Sequence, residues 1–312
     1  RLLRRVATLL WLRRGRFDAA LVNFINSTED VALLLRAAGI PLRVGFQPEG
    51  DAAPLFNLRV PLAPVASRRT GVERHQDLAR AIGIEIPATA APRWAVSPRA
   101  AAAARERLAS SPVAGSRTRI GVHVGGGSGM AWKRWPLERF VDLLRRLADE
   151  STGVLLFGGP EEAAIAARVA VAVPSPSLVL CSVPELDDTA ALMAACDLMI
   201  GNDSGLLHLA IAAGVPSVIV FGPTPPDLHR PEPAAAPAQV VAHPVTCRPC
   251  YDPRRPPRGL TCPIEWQCLA GVSVEQVEAA CRTTLAGPRP SRGDGPRRAV
   301  PAVVAAPTEN VS

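Results

Sequence analysis

The stretch from Asp197 to Gly214 reads D-L-M-I-G-N-D-S-G-L-L-H-L-A-I-A-A-G, and it carries the pattern that decides the fold. A short apolar run ends at Ile200, a polar and glycine-bearing segment follows, and apolar residues then recur at helical spacing. This order predicts a strand, a tight turn and a helix. Ser204 or Asp203 would cap the start of the helix, and Gly214 would end it in the left-handed conformation.

The start of the predicted helix is suited to an anionic ligand. Its first N–H groups have no partner within the helix, and its dipole places a partial positive charge there. Gly205 lets a ligand come close to the backbone, and His208 lies one turn further along on the same face as Ser204. The alternative is an ordinary βα junction with a surface histidine, and this stretch alone does not separate the two.

A second glycine-rich segment favours the ligand-binding interpretation. The strand pattern of residues 119–124 runs into Gly125–Gly129, which holds four glycines in five positions. Glycine is expected where backbone must approach a ligand closely. Lys133, shortly after this segment, is the single lysine of the chain among 35 basic residues. An ammonium on a flexible stem suits a phosphate contact, although a lone lysine also arises by chance.

Composition and charge narrow the class of protein. The 312 residues are 48% hydrophobic and 20% charged, which predicts a globular chain large enough for two domains. Most of the net charge of +7 lies at the ends, because residues 1–16 carry +6 and residues 282–312 carry +3, which leaves −2 for the rest. With 4% aromatic residues, this distribution argues against a nucleic-acid groove. The basic ends could be attracted to an anionic membrane surface or simply be solvated.

Strand and helix patterns alternate along most of the chain. They predict parallel sheets covered by helices, with Pro-rich residues 47–68 as an irregular loop and residues 87–116 as a crossing between two domains. In the second domain the glycine-bearing loops fall at the carboxyl ends of strands. A doubly wound sheet binds its ligand beyond those ends, so the loops can converge on one ligand.

Three motifs together resemble glycosyltransferase family 9, the ADP-heptose:lipopolysaccharide heptosyltransferases. They are G-N-D-S-G-L-L-H at Gly201–His208, K-R-W-P at Lys133–Pro136, and F-G-G-P-E-E at Phe157–Glu162. Their order and spacing match the family, and the resemblance covers about residues 17–285.

The resemblance implies an α/β fold of the GT-B type, with two Rossmann-like doubly wound domains facing a cleft and the first domain incomplete. The expected parts are an acceptor-side domain at 1–98, a crossing at 99–116, a donor domain at 117–286 with a Cys-rich loop at 247–268, and a disordered tail at 287–312. In the family the first domain opens with further βα units that come before residue 1.

The resemblance also implies roles for site residues. Lys133 and Ser128 would hold the diphosphate with Gly129 and the amides of Ser204 and Gly205. Glu162 would accept hydrogen bonds from the ribose hydroxyls, with Glu161 as the near alternative. Asp203 would bind sugar hydroxyls or fix the turn, and His208 would orient Asp203 or touch a phosphate. We count Lys133, Asp203 and His208 as the catalytic candidates. A simple first-turn acid for Glu162 and a helix cap for Asp203 are the structural alternatives.

The implied activity is inverting transfer of heptose from ADP-heptose to the inner-core oligosaccharide on lipid A, without a metal or other cofactor. The family's general base is an aspartate expected upstream of residue 1. One alternative is a nucleotide-sugar-binding but inactive family member or fragment, and another is a transferase of a different sugar. No membrane-spanning run and no signal-peptide layout are visible, so we expect a cytoplasmic protein with peripheral contact at the inner face of the inner membrane.

Four cysteines form a separate cluster at Cys247, Cys250, Cys262 and Cys268. The C-x2-C pair suits a metal knuckle, and the later spacings permit four thiolate ligands, so a structural zinc is one interpretation. Disulfides are not expected in a reducing cytosol. The family often carries a similar cluster, which leaves the ligand open. Cys181 and Cys196 lie in apolar surroundings and are predicted to be buried thiols.

Overall fold

The structure is a computed structural model in which the chain forms two compact units. It describes residues 2–23, 27–47, 56–61, 70–87, 90–127, 130–183, 185–232, 235–248, 250, 262 and 264–287. The first unit contains the described residues of Arg1–Pro92, Phe221–Ala234 and Ala242–Gly271, and the second those of Arg93–Val220, Ala235–Val241 and Val272–Ser312. The predicted domain boundaries stay a prediction, and the tail predicted to be disordered lies beyond residue 287, outside the described residues.

The first unit is built on a three-stranded parallel sheet with the order β1-β2-β3. Its elements are α1 (Leu2–Gly15), β1 (Ala19–Leu21), α2 (Glu29–Ala37), β2 (Leu42–Gln47), β3 (Leu58–Pro61) and α3 (Gly71–Ala81). Leu35 of α2 packs in one apolar cluster, and Leu78 of α3 packs in another with Val44 and Phe46 of β2. Burial of these side chains against the sheet stabilises the βα arrangement.

The second unit has a six-stranded sheet. Its elements are α4 (Pro98–Ala109), β4 (Thr118–His123), α5 (Leu137–Leu147), β5 (Thr152–Phe157), α6 (Ala163–Ala172), β6 (Ser177–Leu180), α7 (Leu186–Ala194), β7 (Leu198–Asn202), α8 (Gly205–Ala212) and β8 (Ser217–Phe221). The later elements are α9 (Pro226–His229), β9 (Ala238–Ala242), α10 (Gln267–Ala270) and α11 (Val274–Ala286), of which α9 and α10 belong to the first unit. Two short 3-10 helices span Ala131–Lys133 and Pro160–Glu162.

The six strands lie in the order β6-β5-β4-β7-β8-β9, and the pairs from β6 to β8 are all parallel. Every residue of β5, β7 and β8 is buried. Strands covered on both faces need apolar side chains at successive positions, which explains their continuous apolar runs. The predicted α/β class with parallel sheets is therefore confirmed.

The organising stretch folds as predicted. β7 ends at Asn202, α8 begins at Gly205, and Gly214 follows with a φ of +88°, which only glycine adopts readily. The prediction of an irregular loop over 47–68 was wrong at 58–61. There β3 pairs with β2, because backbone pairing with a neighbouring strand overrides a composition rich in turn formers. Within the described residues, no helix combines the length and apolar character that a membrane span requires.

Candidate donor site

The strand order of the second unit reverses between β4 and β7. From β4 the chain winds outward through β5 to β6, and it then returns to the opposite side of β4 with β7. In a doubly wound sheet the crevice at such a switch point, outside the carboxyl ends of the strands, is the usual place for a ligand. The segments after β4 and β7 are the two glycine-bearing stretches that the sequence singles out. The two segments meet at the switch point, which confirms the prediction that these glycine-bearing loops converge.

Asn202, the last residue of β7, ties these two segments together. Its Oδ1 accepts a hydrogen bond of 2.8 Å from the backbone N–H of Trp135, and its Nδ2 donates to the carbonyls of Val124 at 3.2 Å and Gly125 at 2.7 Å. The side chain is fully buried, so these bonds satisfy groups that have no access to water. Sequence analysis gave Asn202 no role. The one signal was a polar residue that ends an otherwise apolar strand.

Lys133 and Asp203 form a buried ion pair. The Lys133 Nζ lies 2.6 Å from the Asp203 Oδ2, and the two residues are 8% and 5% exposed. The other carboxylate oxygen of Asp203 lies 3.6 Å from the Nε2 of His208, a side chain that is 41% exposed. The structure therefore brings together the three residues proposed as catalytic candidates. It also pairs the charge of the single lysine with a carboxylate.

The carboxylate of Glu162 is hydrogen-bonded to the backbone of the glycine segment after β4. Its Oε1 accepts hydrogen bonds from the backbone N–H groups of Gly126 at 3.0 Å and Gly127 at 3.3 Å, and its Oε2 accepts from Gly159 at 3.0 Å. The residue is 2% exposed, whereas Glu161 beside it is exposed. Both oxygens of Glu162 face backbone, so the ribose contact expected of it stays a prediction. Sequence analysis did not foresee these three hydrogen bonds.

Two further basic side chains adjoin Glu162. The Nδ1 of His123 lies 3.0 Å from the carbonyl of Phe157 and 3.9 Å from the Glu162 Oε2. Burial lowers the pKa of His123, and the hydrogen bond to Phe157 and the charge of Glu162 oppose that shift in part. The Nη2 of Arg134 lies 3.8 Å from the Glu162 Oε1, and its side chain is 25% exposed.

The start of α8 provides the donors that sequence analysis expected. Ser204 occupies the N-cap position with an extended backbone, but its hydroxyl does not accept a hydrogen bond from the helix. Its buried Oγ has no hydrogen-bond partner among the described residues. A Cβ at Gly205 would meet no atom within 4 Å, so a ligand can approach the backbone there. Ser128 and Gly129, two of the predicted donor-binding residues, lie outside the described residues.

The cysteine cluster lies in the first unit. All four thiols are free, and among the described residues no group of three or more His, Cys, Asp or Glu side chains is arranged to hold a metal ion. Burial, together with the neighbouring thiol Cys247, raises the pKa of Cys250 to about 11. The zinc suggested by the spacing stays a prediction, and we derive no step through it. Cys181 and Cys196 are buried, as predicted.

Comparison with known proteins agrees with the motifs at the switch point. The family model of glycosyltransferase family 9 (heptosyltransferase) matches residues 7–256. The chain belongs to this family. Lipopolysaccharide heptosyltransferase 2 of Escherichia coli K12 is 31% identical over 227 residues, and the match covers 70% of this family 9 chain and 64% of that protein. The corresponding protein of Salmonella typhimurium is 30% identical over 233 residues, with the same coverage. The chain thus spans less than two thirds of the curated relatives that it matches first.

Solved structures of family members have the same fold. The ADP-heptose lipopolysaccharide heptosyltransferase II of Escherichia coli superposes with a TM-score of 0.69 at 26% identity, over 90% of this chain and 80% of that one. The Escherichia coli heptosyltransferase WaaC, solved with ADP, gives a TM-score of 0.60 at 20% identity, over 90% and 77%. These likenesses confirm the GT-B fold class.

Proposed function

We propose that the chain transfers a heptose from ADP-heptose to the inner core of lipopolysaccharide. The observation that carries the proposal is the meeting of the glycine segment after β4 with the start of α8 at the switch point of the sheet. A crevice with backbone N–H groups, a helix start and basic side chains suits a nucleotide diphosphate. The names of the relatives supply the sugar and the acceptor.

The donor's diphosphate is proposed to lie against α8. The N–H groups of Ser204 and Gly205 and the unpartnered Ser204 hydroxyl would bind its oxygens. Ser128 and Gly129 are proposed as further diphosphate contacts. Lys133 and Asp203 would act as one unit in which the ammonium faces phosphate and the carboxylate faces sugar hydroxyls. His208 lies within reach of the same carboxylate.

The ribose is proposed to be bound by an acid of the segment after β5. Glu161 fits that role better in this structure, because it is exposed whereas both oxygens of Glu162 are bonded to backbone. A carboxylate accepts hydrogen bonds from two hydroxyls at once, which suits a ribose. A Glu161→Gln variant that kept full affinity for ADP would assign the ribose to another residue.

The proposed chemistry is direct displacement with inversion at the sugar carbon. As the glycosidic bond breaks, negative charge grows on the leaving diphosphate, and donors already aimed at it lower the barrier without a metal. The acceptor hydroxyl must lose its proton to a base. We assign no general base to the described residues. The reaction would take place at the cytoplasmic face of the inner membrane, where the basic amino-terminal residues can meet anionic lipid.

The proposal is tested by incubating purified protein with ADP-heptose and a lipopolysaccharide acceptor that lacks the heptose. Release of ADP with a matching mass increase of the acceptor is the expected result, and it should persist in EDTA. Binding of ADP-heptose without transfer would favour an inactive nucleotide-sugar-binding protein instead. Transfer from another nucleotide sugar in preference to ADP-heptose would change the substrate.

A further inference from the structure

We propose that Arg134 is a second cationic contact for the donor's diphosphate. The inference rests on the proposed function, because it concerns the same site. It goes beyond the sequence motifs, in which Lys133 was the expected phosphate ligand and Arg134 had no assigned role.

Lys133 is paired with a carboxylate. Its ammonium lies 2.6 Å from the Asp203 carboxylate, and both side chains are less than 10% exposed. A buried pair at this distance neutralises its own charge, and separating it leaves a carboxylate without compensation. A diphosphate that approaches Lys133 therefore meets a cation whose charge is already balanced.

Arg134 lies near a carboxylate without a hydrogen bond to it. Its Nη2 forms an ion pair with the Glu162 Oε1 at 3.8 Å but is too far away for a hydrogen bond, and that oxygen already accepts from two backbone N–H groups. Among the described residues the buried Nε of Arg134 has no hydrogen-bond partner. A buried donor without an acceptor is unfavourable, so the side chain would gain by turning this N–H toward an incoming phosphate oxygen. The planar fork of a guanidinium matches two phosphate oxygens at once.

Arg134 lies next to the glycine segment after β4. A Cβ built on Gly126 would be 3.6 Å from the Arg134 Cγ, so the start of the side chain lies beside Gly126 in the glycine segment after β4. Its side chain is 25% exposed, so part of it is accessible to a ligand. The unpartnered hydroxyl of Ser204 belongs to the segment after β7, across the switch point. Two buried polar atoms without partners thus lie on the two segments that border the proposed diphosphate.

The test is calorimetric titration with inorganic pyrophosphate and, separately, with adenosine. In Arg134→Gln, affinity for pyrophosphate should fall by about 10- to 100-fold, the loss expected for one charge-assisted contact, while adenosine binding is unchanged. Arg145→Gln is the matched control. Arg145 lies 3.8 Å from the carboxylate of Asp142 in an exposed pair on α5, so pyrophosphate binding there should equal wild type.

The titrations distinguish failure of the proposed donor site from failure of the role proposed for Arg134. Should wild type bind neither pyrophosphate nor ADP, the proposed donor site fails and the inference fails with it. If wild type binds pyrophosphate and Arg134→Gln binds it equally well, the inference alone is overturned. An equal loss for adenosine and pyrophosphate would also overturn it, because Arg134 would then act through the fold. Should Arg134→Gln not fold, Arg134→Met removes the charge but keeps an unbranched stem, and wild-type affinity for pyrophosphate in it overturns the proposal.

Discussion

At the scale of single residues, Asn202 links the two segments of the site through one buried amide. Asn202→Asp would keep the acceptor for Trp135 but place a second carboxylate oxygen against the carbonyls of Val124 and Gly125. We expect the free energy of unfolding to fall by about 3 kcal/mol, because two donated hydrogen bonds become repulsive contacts. Equilibrium urea denaturation measures the difference.

Asn57 offers the matched control for this substitution. It is exposed, and its amide also bonds to backbone, since Nδ2 donates to the carbonyl of Pro41 and Oδ1 accepts from the N–H of Arg43. Because water can solvate the new charge, Asn57→Asp should lower the unfolding free energy by about 0.5 kcal/mol or less. Equal losses in both variants would contradict the importance given to burial.

The buried pair of Lys133 and Asp203 gives a second prediction at this scale. Lys133→Met should destabilise the protein by about 3 to 5 kcal/mol, since Asp203 is left charged and buried. A double variant that also changes Asp203→Leu should recover most of that loss, because both charges are then absent. Thermal or urea denaturation of the three proteins checks this. A double variant no more stable than Lys133→Met would show that the pair is not the cause.

The lowered pKa of the buried His123 is expected to make stability depend on pH. Burial holds the pKa of this imidazole in the folded chain below 6.5, its ordinary value in the unfolded chain. At a pH between the folded and the unfolded pKa, the unfolded chain therefore binds a proton that the folded chain does not. Stability should therefore fall as pH drops below 6.5, by up to about 1.4 kcal/mol per pH unit, and this contribution should be flat above 6.5. His123→Gln should lose that slope in urea denaturation series from pH 5 to 8. An identical slope in the variant would contradict it.

At the scale of elements, the glycine segment after β4 packs against the carboxylate of Glu162. A Cβ at Gly125 would overlap the Glu162 carboxylate, which is fixed by three backbone N–H groups. Gly125→Ala should thus cost about 3 kcal/mol of stability and weaken ADP binding, as expected of overpacking at a rigid site. Gly115→Ala is the control, because a Cβ there meets no atom within 4 Å. Equal denaturation midpoints in the two variants would contradict this.

Elements with strong periodicity could be predicted from the sequence, and those defined by pairing could not. The fully buried strands β5, β7 and β8 each contain a run of at least three apolar residues, and α11 has a capping serine at Ser273, so local pattern suffices. β3 is short and lies in a region rich in turn formers, and β9 has no fully buried residue. Such strands exist because a neighbour offers backbone partners, and no local pattern records that.

At the scale of the whole molecule, the position of the candidate site could be predicted from the sequence, but the hydrogen bonds and ion pairs within the site could not. Glycines at strand ends and the rule for doubly wound sheets predicted that the segments after β4 and β7 converge, and the strand order confirms it. Which atoms then bond could not be predicted. The contacts of Glu162 with Gly126 and of Lys133 with Asp203 join residues 36 and 70 positions apart, and their side-chain directions follow from packing.

The central claim is that the switch point of the six-stranded sheet binds a nucleotide diphosphate. The most direct test is calorimetric titration of the purified chain with ADP, beside Ser204→Ala. The account predicts saturable one-to-one binding in wild type that weakens by about tenfold in the variant, because one donor to the diphosphate is lost. Absence of ADP binding by a protein that shows a cooperative unfolding transition would contradict the claim and leave family 9 membership as a statement about fold.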